Sequence, residues 1–120
     1  MSYQRADGRF VYSEKYTLAS AVVTASGNSP SVDVGSAAVL RGAVITASAV
    51  GGTTPSLTIQ PQTSPDNTNW TNVGSAFAAL TANGSTAAKT VGPLDRYFRL
   101  NYTVTGTTPT LTIVGIGDLV

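Results

Sequence analysis

Any chemistry in this chain would fall to six carboxylates, Asp7, Glu14, Asp33, Asp66, Asp95 and Asp118, because the chain has neither histidine nor cysteine. That removes Ser-His-Asp and Cys-His nucleophiles, thiolate metal sites, disulfides and most zinc chemistry. What remains is a carboxylate pair of the glycoside-hydrolase kind, with one member in surroundings that raise its pKa. Asp7 and Glu14 lie near the N-terminus, Asp66 and Asp95 stand in turn contexts, and Asp33 alternates with Val32 and Val34 on a solvent-facing side. No two share a suitable context, so the chain reads as no enzyme, with no catalytic residue, cofactor or metal to assign.

Three other groupings could bind something. Asp66-Asn67-Thr68-Asn69 offers oxygen ligands of the kind calcium takes, but one carboxylate and two amides make a thin set. The same residues after Ser64-Pro65 are ordinary turn chemistry. Trp70, the single tryptophan, could stack on a sugar if exposed; beginning a strand after a tight turn, it is expected to pack into the core. Arg96 and Arg99 flank Tyr97 and Phe98, and suit an anion or, more simply, a rim ion pair or a cation–π contact.

The elements that would position these residues are strands. Charged residues make up 11% of the 120-residue chain, under half the usual share. Thirty residues are Ser or Thr, so the outer faces are hydroxylated rather than charged. A net charge of +1 gives no electrostatic case for nucleic acid or an anionic membrane. So little charge also defends poorly against self-association. Either neighbours cover much of the surface in an assembly, or Ser, Thr and Asn hydrate it. The N-terminal segment lacks the apolar stretch of a signal peptide, and synthesis in a cytoplasm is the expectation.

Five of the thirteen charges fall in the first fifteen residues, interleaved with Tyr3, Phe10 and Tyr12 and without a clean period. Residues 1–16 therefore read as an arm that orders against something else. From residue 17 to 120 the text is strand and turn. Ala43, Ile45, Ala47 and Ala49 share one face of a strand, Leu57 and Ile59 share another, and Phe98, Leu100, Tyr102 and Val104 give the clearest alternation. Gly52 to Ile59 reads GTTPSLTI and Gly106 to Ile113 reads GTTPTLTI. Glycine at a positive φ followed by proline at the start of a strand is expected to make a β-hairpin in each copy. Eight or nine short strands at this spacing predict a single-domain, all-β, two-sheet antiparallel sandwich of jelly-roll type.

TIQPQTSPDNTNWTNVG from Thr58, GPLDRYFRLNYTVTGTTPTLTI from Gly92, and SVDVG from Ser31 together resemble small jelly-roll proteins of tailed bacteriophages that act as capsid cement or head-decoration proteins. The resemblance spans roughly residues 18–117. Discoidin-like carbohydrate-binding jelly rolls share the S-x-D-x-x-x-W and R-Y-x-R elements, so a carbohydrate-binding module stays an alternative, as does a phage tail or baseplate protein. The resemblance implies a dimer or trimer on the outer surface of the phage head, with the major capsid protein and its own copies as partners. It implies no catalytic residues. On that reading Tyr3, Arg5, Arg9, Phe10 and Tyr12 contact the capsid or a neighbouring copy.

Overall fold

Two long strands dominate the fold, and both carry the Gly-Thr-Thr-Pro segment in their middle. The computed structural model describes residues 2–4, 10–12, 14–35 and 38–119, with side-chain surroundings for residues 17–118 other than 19, 36 and 37. Among the described residues the chain is all-β. The strands are β1 (Ser2–Gln4), β2 (Phe10–Tyr12), β3 (Glu14–Val23), β4 (Gly27–Asn28), β5 (Val32–Asp33), β6 (Val39–Ser64), β7 (Thr71–Asn72), β8 (Thr86–Lys89), β9 (Gly92–Pro93) and β10 (Tyr97–Leu119). β1 and β2 form a two-stranded sheet of their own; the other eight form one antiparallel sheet around the pair β6–β10.

The expected hairpins at Gly-Thr-Thr-Pro are not what forms. Each long strand passes through its copy, and the two copies lie against each other, Thr53 opposite Thr107. Their backbones match: φ is 99° at Gly52 and 115° at Gly106, and 46° at both Thr54 and Thr108. A Cβ on Gly52 would stand 2.5 Å from the Thr108 carbonyl oxygen, and one on Gly106 would stand 2.8 Å from that of Thr54. The contacts are reciprocal, so a local twofold exchanges the copies. The expectation missed the partner. Glycine and proline permit a sharp bend, but each strand bends around the other instead of back on itself.

That exchange extends well beyond the eight-residue segment, seven positions of which are identical. The segment Thr71 to Leu80 borders β6 as β3 borders β10: Leu80 pairs with Leu57 and Val23 with Leu111. β8 and β9 pair with the first half of β6, as β4 and β5 pair with the first half of β10. The turns agree as well. Val104 N–H donates to Ser26 Oγ, and Val50 N–H donates to Asn83 Oδ1. In the sequence this appears as Thr24-Ala25-Ser26-Gly27 beside Thr81-Ala82-Asn83-Gly84, and Val34-Gly35 beside Val91-Gly92. The chain is thus an internal repeat of strand, glycine turn, short strands and long bent strand.

The bends curl the sheet into two limbs with a shared core. One limb carries Leu40, Ala43, Ile45, Ala47, Leu111 and Ile113, and the other Leu57, Ile59, Phe98, Leu100 and Tyr102; all belong to one buried cluster. Each fully buried Leu or Ile there contributes about 1.5–3 kcal/mol by leaving water. The alternation was legible in the sequence except at Ala49, which is exposed because the register shifts between Thr112 and Ile113. The segment Ala76–Leu80 meets β6 through the bridge of Leu80 with Leu57 and the bond from Phe77 N–H to Ile59. Nearer β7, the Pro61 carbonyl accepts from Val73 N–H, but Pro61 has no N–H to return.

Candidate interaction surface

Two of the carboxylates that could have done chemistry, Asp66 and Asp33, are engaged by neighbours of their own. Asp66 Oδ1 accepts from the backbone N–H of Asn69 (2.8 Å) and Thr68 (2.9 Å) and from Ser64 Oγ (2.9 Å), while Asn69 Nδ2 donates to Oδ2 at 2.8 Å. These donors, the Asn69 N–H first, hold its carboxyl well below the usual carboxylate range. The carboxylate thus organises its own turn. Asp33 accepts from Arg96 Nε at 3.1 Å and Nη2 at 3.0 Å, which with the Gly35 N–H lowers its pKa. Both partners of that ion pair are largely solvated, so water screens it.

Trp70 does not enter the core. It is half-buried, and the Arg99 guanidinium lies over its ring, 4.2 Å from the centroid, while donating through Nε to Gln62 Oε1 at 2.8 Å. Arg96 lies over Tyr97 at 5.5 Å. Arg96 therefore makes both the rim ion pair and a cation–π contact with its neighbour Tyr97, while Arg99 covers one face of Trp70.

What stands unused is the flank of β3. Its outer edge pairs with no other strand among the described residues, and from Thr17 to Val23 it has neither charge nor proline. Flat uncharged edges of this kind recruit other chains. Its outer face continues into an apolar stripe. Val22 is 60% exposed, and Val44, Val114 and Ile116 on the neighbouring strands are 42–44% exposed, with Ile116 directly opposite Val44. Monomers seldom leave β-branched side chains clustered in water without a use for them.

On its inner side β3 borders a groove of about 560 Å³ lined by Leu18, Ala21, Val23, Pro30, Val32 and Tyr102. Leu18, Val23 and Tyr102 are buried in its floor, and burial pushes the Tyr102 phenol up, offset by a hydrogen bond with Ser29. The internal repeat shows why the groove exists. Opposite Ile59, Phe77 N–H bonds the strand and its ring is buried, whereas Ala21 stands opposite the equivalent Ile113 and is exposed. Across the gap, Lys89, opposite Ala43, donates to Ser75 and lies 5.8 Å from the Phe77 centroid. The matching inner-face place opposite Phe98 belongs to Val32. One repeat is plugged by a phenylalanine and a cation; the other is open.

Of the five residues expected to make contacts, Tyr3 lies in β1 and Phe10 and Tyr12 in β2; Arg5 and Arg9 lie outside the described residues. The pairing of β1 with β2 brings Tyr3 and Phe10 onto adjacent strands, with Tyr3 opposite Val11 and Gln4 opposite Phe10. The groove and stripe residues were not singled out in advance. The signal for them was Val22-Val23, two apolar neighbours that make a strand apolar on both faces. The chain matches no protein-family model and no curated protein sequence.

Proposed function

We propose that this chain is a structural protein of a phage virion, a cement or decoration protein that binds the outside of the head and ties neighbouring capsomers together. The finer architecture assigned to it is a jelly-roll-like two-sheet sandwich whose layers are the two limbs of the curled sheet. The observation that carries this reading is the flank of β3 from Thr17 to Val23, an uncharged edge with apolar surface on both faces. Such a flank serves assembly and offers catalysis nothing. The low overall charge agrees with a surface that neighbours cover.

In this reading the major capsid protein meets the outer stripe, and residues 1–16 reach a neighbouring copy or the shell through Tyr3, Arg5, Arg9, Phe10 and Tyr12. Pressure from packaged DNA loads the seams between capsomers. Many equivalent weak contacts across a seam sum through multivalency into a stable clamp.

The test is co-sedimentation with particles of the encoding phage stripped of this protein. Ile116→Lys leaves the fold intact, since the position is exposed, and is expected to weaken binding about tenfold or more by desolvating an unpaired charge. Removing residues 1–13 is expected to weaken binding as well. Wild-type binding by both variants would remove the proposal, and a few copies per particle, localised by cryo-electron microscopy, would move it to the tail.

A further inference from the structure

We infer that the open groove beside β3 is a socket for the N-terminal hairpin of a second copy of this chain, with Phe10 as the side chain it receives. The inference rests on the reading of residues 1–16 as a connecting arm, and it names where that arm lands.

The nature of the ligand follows from the plugged repeat. At the equivalent place the chain itself supplies a buried phenylalanine ring, with a lysine ammonium nearby on the opposite wall. Ala21 and Val32 replace that phenylalanine and that lysine, so the open groove lacks an aromatic ring and a cation. The chain contains three phenylalanines. Phe77 and Phe98 are in the core. Phe10 is the third, it directly follows Arg9, and β1 and β2 pair with each other apart from the main sheet. A hairpin of two three-residue strands gains too little buried surface to stand alone in water, so it needs a surface to dock on. The groove supplies one with the chemistry of the plug already built for a ring.

The arm of the same chain does not reach. Phe10 lies four residues before Glu14, and folding back along β3 spends about two of them on the reversal, so its Cα gets no more than about 7 Å along the strand. Ala21 lies seven residues further along the extended strand, about 23 Å from Glu14. The ring in the socket therefore comes from another molecule. Each copy gives one arm and receives one, as a closed dimer or ring requires.

Because the chain has no cysteine, the contact can be trapped in full-length protein. Phe10→Cys and Ala21→Cys chains are mixed and oxidised; a disulfide-linked heterodimer of twice 12.2 kDa is expected from the mixture, well above any homodimer in either variant alone. A second arm uses Ala21→Phe, which fills the groove from within. Its melting temperature should equal or exceed that of the wild type while its self-association, read by sedimentation velocity, falls at least tenfold. Phe10→Ala should lose self-association with an unchanged melting temperature. A wild-type chain that stays monomeric at every concentration, or an Ala21→Phe chain that associates like the wild type, overturns the socket. Should Phe10→Ala lose association and shell binding while Ala21→Phe keeps both, the arm works elsewhere and the inference alone fails. Should removal of residues 1–13 leave shell binding unchanged, the arm reading itself falls.

Discussion

Gly52 and Gly106 are the residues on which the bend of the whole sheet turns. At each, a positive φ and a carbonyl oxygen of the facing copy within 3 Å of any added Cβ leave room for hydrogen alone. Gly52→Ala and Gly106→Ala are each expected to destabilise the fold by about 1–3 kcal/mol or more in urea denaturation. Because both act on one crossing, the double variant should cost less than the two effects added. Asp66 sets the other residue-scale expectation. Its pKa is depressed in the folded chain, so the stability it contributes is present above its unfolded value, about 3.9, and is lost as pH falls through the lower folded value. Asp33 adds to the same acid-side loss through Arg96 and Gly35. Asp66→Asn should lower the melting temperature at neutral pH and flatten its decline below about pH 4, followed through Trp70 fluorescence. An unaltered acid profile would mean that the turn's hydrogen bonds do not persist in solution.

At the scale of elements, the contrast between β3 and the segment Thr71–Leu80 carries the functional content. Both border a long strand, yet one meets it as the two-residue β7 and a bridge at Leu80 while the other runs ten residues. The broken edge is covered by Phe77 and Lys89; the regular edge stays open on its inner side. Phe77→Ala should cost about 3–5 kcal/mol, measured by denaturant unfolding, and should open a second groove. The sequence made most of the strands legible, because Phe98, Leu100, Tyr102, Leu57 and Ile59 alternate without interruption. It misled at Gly-Thr-Thr-Pro, where local turn chemistry was correct in φ but silent about which strand the bend would embrace. The open flank was harder to see, since exposure of Ala21 or Ile116 depends on what the rest of the molecule fails to cover.

For the molecule as a whole, the repeat stands out over one eight-residue segment and is faint elsewhere in the sequence, because most of the rest is kept in role rather than in letter. Ser26 and Asn83 make the same bond with different side chains. Val23 and Leu80 fill the same place in the core. The glycines and the turn hydroxyls survive where backbone geometry demands them, and the strands between drift with the surface each must present. The expectation of an all-β chain holds, with two strands of 26 and 23 residues in place of uniformly short ones. The chain extends 55 × 30 × 20 Å along its principal axes.

The plug at Phe77 also fixes a count. A duplicated chain with both grooves open would offer two receptors for every arm, and copies could then branch into networks of no defined size. In the proposed arrangement, with one groove sealed from within, donors and receptors would be equal in number, one of each per molecule. Assemblies built on that arithmetic would be unbranched, either rings or linear runs. A single phenylalanine on the far edge would thus prevent branching without touching any partner.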